Sequence, residues 1–147
     1  MKSTFLNTDK TLSLSVTSML ENLLGDHPLG NYRVTLNNSD YDENGGVCPC
    51  LVFVEKTEDK YVISEFSIAT MITNQAEEFE LIDSDSFNFV TGEGFVSFHY
   101  PFSVYEADGM EASEFNIQSF ASNFSLGLFD ITVVTAIDDS DSSENAA

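Results

Sequence analysis

Two runs of β-branched and aromatic residues, LVFVE (51–55) and YVISEF (61–66), stand on either side of the charged stretch KTED (56–59). Branching at Cβ crowds a helix and suits a pleated strand. The pair therefore predicts an antiparallel hairpin closed by a short polar turn, with Lys60 at its edge. A second hairpin is expected in FNFVTGEGFVSFHYPF (87–102). Phe87 and Phe89 alternate there, and Phe95, Ser97 and His99 alternate against Val96, Phe98 and Tyr100. TGEG supplies glycines that tolerate positive φ. Pro101, having no N–H to donate, is expected to end the ladder. YRVTL (32–36) adds another strand, with Tyr32, Val34 and Leu36 alternating with polar partners.

Helical spacing appears in three places. Leu12, Val16, Met19, Leu20, Leu23 and Leu24 fall on one stripe, with Asp9 as the expected cap, Gly25 as the stop and Pro28 just beyond. IATMITNQAEEFELI (68–82) places Ile68, Met71, Ile72, Ala76, Phe79 and Ile82 on a helical face, and a helix is favoured there over a strand. After Asp108-Gly109, a stripe runs through Ile117, Phe120, Ala121, Phe124, Leu128 and Ile131, with Ser113 as its expected cap. Gly127 and the β-branched ITVVT predict a break near Gly127. The expected order is α-β-β-β-α-β-β-α, an α+β single domain in which helices pack on an antiparallel sheet. It spans residues 1–137, and the polar ending DDSDSSENAA (138–147) is expected to be a disordered acidic tail, dispensable for folding.

Charge restricts the function classes. Twenty-five carboxylates face five basic side chains, for a formal net charge of −20, while 42% of the residues are apolar. That is too apolar for a disordered chain, and 147 residues suffice to bury a core without a metal or disulfide. Such a field repels nucleic acid and anionic membrane and attracts basic proteins or cations. Neither direct nucleic-acid binding nor membrane association is expected. The start, MKSTFLNTDK, has no continuous apolar segment of the kind that directs export, and no run approaches a membrane span. With two cysteines, this predicts a reducing, cytoplasmic location.

The segment NSDYDENGGVCPC (38–50) carries two suggestions of chemistry. Asp40, Asp42, Asn44 and Gly45 match the opening of a calcium loop. The twelfth position of such a loop needs a bidentate carboxylate, and here it is Leu51. Cys48 and Cys50 flank Pro49, one residue short of a C-x-x-C redox pair, and His27 and His99 are too remote in sequence to complete a zinc set. Neither histidine sits in a nucleophile motif, and TGEG lacks the lysine and helix of a phosphate loop. The segment is therefore expected to be a structural loop, and the chain is expected to be no enzyme, with no cofactor and no metal.

The stretch GFVSFHYPFSVYEADGMEASEFNIQSF (94–120) resembles the final strand, short loop and opening of the last helix of the type III secretion chaperone-like superfamily, which includes the YbjN-type bacterial domains. The pattern and the acidic composition extend over most of the chain. The resemblance implies a non-enzymatic protein-binding module that handles a partner chain. Such modules are often dimeric, so a homodimer is one expected assembly, and no individual residue role carries over.

Two functions follow as expectations. The first is a chaperone-like or adaptor protein that engages a partner with a basic surface through an apolar groove. Its candidate acidic face is Glu77, Glu78, Glu80, Asp83 and Asp85. The second is an inhibitor of the phage or mobile-element type that imitates nucleic acid and occupies the basic groove of a DNA-binding protein or nuclease. SDYDE (39–43), EEFELIDSD (77–85) and EADGMEASE (106–114) would carry that imitation.

Overall fold

A computed structural model of the chain describes residues 2–6, 10–42, 44–98 and 100–137. Ten elements follow one another: β1 (Ser3–Leu6), α1 (Leu14–Leu24), β2 (Gly30–Asn37), β3 (Cys50–Lys56), β4 (Lys60–Thr73), β5 (Phe79–Asn88), β6 (Glu93–Val96), β7 (Tyr100–Ser103), α2 (Ala107–Ser125) and β8 (Ile131–Ile137). The eight strands form one sheet, seven of them in the order β7-β6-β5-β4-β3-β2-β8 and β1 off this path. β1 pairs in parallel with Lys60–Ile63 of β4, and every other pairing is antiparallel. The fold is thus the expected α+β class, an antiparallel sheet with helices packed on it.

One face of the sheet carries the core. Tyr32, Val34 and Leu36 of β2, Val52 and Val54 of β3, and Tyr61, Ile63 and Phe66 of β4 are buried together with Val16, Leu20 and Leu24 of α1 and Ile117, Phe120 and Ala121 of α2. The step from Ile63 to Phe66 breaks the two-residue period. A bulge in the β3–β4 register explains it: Val54 faces Ile63 and Phe53 faces Glu65, so Ser64 is the extra residue. Aromatic rings link the layers. Phe102 of β7 meets Phe87 at 5.6 Å, Phe87 meets Phe66 at 5.9 Å, Phe66 meets Phe120 edge-on at 4.6 Å, and Phe120 meets Phe129 at 5.9 Å.

The C-terminus of α1 is closed by a lysine. Lys56 is only 7% exposed, and its ammonium donates to the carbonyls of Leu24 (2.8 Å), Gly25 (3.1 Å) and His27 (2.7 Å). Leu24 and Gly25 carry carbonyls that the helix end leaves without an intrahelical partner, and the helix dipole favours a cation there.

Several local expectations are corrected. Residues 68–82 are not helical: they form the outer part of β4, a turn and the start of β5. The supposed helical stripe divides between two sheet faces, with Ile68, Ile72 and Ile82 on the helix side and Met71 and Phe79 on the other, as register and alternation require. α1 begins after Ser13, so Leu12 precedes it, and Asp9 lies outside the described residues. α2 begins after Glu106, so Ser113 is not its cap. Ser113 is buried within it and donates to the carbonyl of Gly109 at 2.8 Å. The helix ends at Ser125, close to the expected break, and Ile131 opens β8 instead of completing the helical stripe. Pro101 does not end the ladder. It pairs with Phe95 in β7, an edge strand, where a missing N–H is tolerated. His99 and the expected tail from Asp138 lie outside the described residues. No helix among the described residues is long and apolar enough to cross a membrane.

Gly109 sets how closely α2 approaches the sheet edge. A Cβ at this buried position would lie 2.1 Å from the carbonyl oxygen of Ser103. Gly109→Ala is therefore expected to displace the first turn of α2 and to destabilise the protein by about 2 kcal/mol, as overpacking does. Urea unfolding checks this, and an unchanged midpoint would show that the helix start shifts freely.

Candidate partner-binding face

The segment 38–50 is strapped to the rest of the fold. The Asn38 side chain donates to the Leu128 carbonyl at 2.5 Å, and the Ser39 N–H donates to Asp130 at 2.9 Å. The Ser39 hydroxyl reaches the same carboxylate, and these contacts hold the Asp130 carboxyl below its ordinary range. Further along, the Met71 N–H donates to the Tyr41 hydroxyl at 2.7 Å and the Ala69 N–H to the Pro49 carbonyl at 3.0 Å. The loop thereby occupies the edge of β4 beyond the end of β3. Its Asn and Asp side chains also make turns: the Asn38 side-chain oxygen accepts from the Asp40 N–H and the Asp42 carboxylate from the Asn44 N–H, both at 2.8 Å. Leu51, where a calcium loop would need its last ligand, lies in β3 between Thr35 and Ser67.

The thiols and His27 have structural surroundings. Cys50 is buried as the first residue of β3, and burial pushes its thiol pKa up. Cys48 is half-buried, 4.0 Å from the Thr70 hydroxyl. His27 stacks on Tyr32 with ring centroids 5.5 Å apart. Among the described residues, no group of three or more His, Cys, Asp and Glu is placed to share a metal ion.

The candidate acidic residues lie along one hairpin arm but not on one face. Glu77 sits in the β4–β5 turn with φ 62°, and Glu78 leads into β5. Glu80 pairs with Ile72 on the helix side, whereas Asp83 pairs with Ala69 on the opposite side. Asp85 is half-buried and accepts from the Ser97 N–H at 3.2 Å and from Ser84 at 3.1 Å. A strand alternates its side chains where a helix would have gathered them.

The opposite sheet face is not covered by either helix. Cross-strand register sets Ser86, Ser67, Leu51, Thr35 and Val133 in one row across it, and Asn88, Glu65, Phe53, Arg33 and Thr135 in the next. Phe79 (54% exposed) and Leu81 (51%) stand at one side of this face, and Ile131 (44%) and Val133 (48%) at the other. Between them is a shallow hollow lined in part by Arg33, Leu51, Ala69 and Asp83. These apolar residues were not part of the acidic face expected from sequence. A signal was present only for Leu51 and Phe53 of this face, because LVFV places apolar side chains on both sides of a strand, which a sheet with one solvated face does not require.

Glu65 is half-buried on this face. Burial and the negative charge of Asp83 raise its carboxyl pKa. Below about pH 4 the group is protonated in both folded and unfolded chains and carries no penalty. As pH rises, the unfolded chain ionises first, so the folded state loses stability. Glu65→Gln is expected to stabilise the protein at pH 7 by under about 1 kcal/mol, since solvent screens a partly exposed group. The gap should close below pH 4, and a gap independent of pH would show that ionisation is not its source.

Most basic side chains are engaged within the fold. Lys56 caps α1, Lys2 donates to the carbonyls of Thr57 (2.7 Å) and Glu58, Lys10 pairs with Glu114 at 2.9 Å, and Lys60 lies 5.7 Å from the Phe5 ring centroid. Arg33 remains on the open face, with no ion pair among the described residues.

No family model matches the sequence, and no curated protein matches it. Two solved structures from Vibrio cholerae are similar in fold. One is the conserved hypothetical protein VC1805 of pathogenicity island VPI-2, described as sharing structural homology with the human P32 protein. It is 20% identical, with a TM-score of 0.69, over 84% of this chain and 94% of that one. The other is the hypothetical protein VC0508 of the VSP-II pathogenicity island, 18% identical, with a TM-score of 0.70, over 85% of this chain and 94% of that one. At such identity, the likeness is one of fold: this chain adopts the same architecture as these two proteins along most of its length.

Proposed function

We propose that this chain is a non-enzymatic, chaperone-like or adaptor module that binds a protein with a basic surface through its open sheet face. One observation carries the reading: Phe79, Leu81, Ile131 and Val133 are exposed on a sheet face left uncovered, in a chain of net charge −20. Apolar side chains exposed at both sides of an open face, with a charged surround, offer a partner its contacts. The half-buried Glu65, raised in pKa beside Asp83, would gain from an incoming cation. The resemblance to the type III secretion chaperone-like superfamily points the same way, as an analogy of fold pattern. Imitation of nucleic acid would need carboxylates in aligned rows. The alternation of Glu80 and Asp83 between sheet faces favours the first reading.

Affinity capture on the wild-type chain and on a Leu81→Asp, Val133→Asp variant tests this. Captured proteins are expected to be basic, with pI above about 9, and to be lost on the variant. Their association with the wild type should slow by about tenfold or more between low and physiological salt, because the field steers encounter. Partners indifferent to both salt and the variant would overturn the proposal.

A further inference from the structure

The two edges of the sheet differ in kind. β7 is four residues long and contains Pro101, two features that discourage further pairing. β8 at the other edge is seven residues long, ITVVTAI, with no charge, proline or glycine. All seven pair in register with β2, so the strand is regular along its length. Its outer row of N–H and C=O groups has no partner strand among the described residues.

We infer that β8 is a strand-addition site for an extended basic segment of the partner chain, an inference that rests on the basic-partner reading above. Main-chain pairing along residues 131–137 would supply affinity, and alternate side chains of the added strand would lie beside Ile131 and Val133 on the open face. Charge selects the occupant. Asp130 precedes the strand, and Asp138, Asp139 and Asp141 follow it in sequence. A second copy pairing at this edge would bring together two bodies of net charge −20. A basic segment meets attraction instead.

The test uses the full chain and a short capped peptide of alternating lysine and valine, at low salt, with amide hydrogen exchange followed by NMR. Saturable binding is expected, with exchange of alternate β8 amides slowed by about tenfold or more. Val133→Lys together with Thr135→Lys should weaken binding by at least about tenfold, because lysine on an edge repels a basic strand and blocks pairing. Val133 is exposed, and the variant's spectrum reports whether the fold is kept. Peptide binding without β8 protection would overturn the edge inference and leave the basic-partner reading standing. No binding would overturn the edge inference, and capture of basic proteins would then decide the wider reading separately. Outward-facing β8 amides, those not directed at β2, already protected without peptide at any protein concentration would overturn it by showing the edge covered by a second copy or by this chain itself.

Discussion

Phe66→Ala is expected to destabilise the protein by about 4 kcal/mol, within the range for removing a buried phenylalanine. Phe66 is 1% exposed and stands in the middle of the ring series, with Phe87 on one side and Phe120 on the other. Its loss opens a cavity between the sheet and α2 and removes an edge-on contact as well as buried area. Phe66→Leu retains most of the volume and should cost about 1.5 kcal/mol. A double-mutant cycle with Phe120→Leu should give a coupling of about 0.5–1.5 kcal/mol for the ring pair. Urea unfolding measures all three. A Phe66→Ala loss under about 1.5 kcal/mol would show that α2 collapses into the cavity and that the rings do not hold it in place.

Lys56→Met is expected to lower stability by about 3 kcal/mol, since hydrogen bonds to charged groups contribute more than neutral ones and the Gly25 and His27 carbonyls would lose their donor, while Leu24 keeps the His27 N–H at 2.9 Å. In a protein of this size that corresponds to a fall in melting temperature of about 10 °C. Methionine keeps the length and apolar stem of the side chain, so the change isolates the ammonium bound to Leu24, Gly25 and His27. Lys56→Arg should recover part of the loss. If Lys56→Met melts within about 2 °C of the wild type, water serves the end of α1 as well as the lysine does. Faster exchange confined to the last turn of α1 would localise the effect there.

The two effects lie at different distances from what the sequence makes legible. Phe66 belongs to YVISEF, whose strand character follows from its own residues. Lys56 in KTED reads as an ordinary turn cation, and nothing local says that it is buried. Its role depends on β3 ending beside the C-terminus of α1, a contact between residues about thirty positions apart. The same distinction explains the corrected helix at 68–82. Ile68, Met71 and Ile72 have helical spacing because this part of β4 is apolar on both faces, and a strand of that kind imitates a 3.6-residue period over a short window. Only pairing with β5, from Glu65–Asn88 to Thr73–Phe79, resolves the ambiguity.

The candidate site divides in the same way. Its acidity was evident from composition, and the acids of 77–85 do cluster along one hairpin. Their division between two faces follows from strand geometry, as does the placing of Leu81 and Val133, far apart in sequence, on the same sheet face. β1 offers only four residues, too few for a period to be read, and its parallel pairing with β4 depends on the edge that β5 leaves free at Lys60–Ile63.

By itself, the sequence determined the α+β class, the β3–β4 hairpin, the body of the first helix and a surface that repels anions. Each of these rests on side chains close in the chain or on their sum. The second hairpin was legible only in part, because Ser97 and Phe98 turn with positive φ and divide its second arm into β6 and β7. The tertiary structure alone decided which sheet face stays uncovered, which strand ends the sheet without a guard, and which lysine is buried. Those outcomes depend on where two helices land on eight strands, and that is set by the packing of residues from Leu20 to Phe120 into one core.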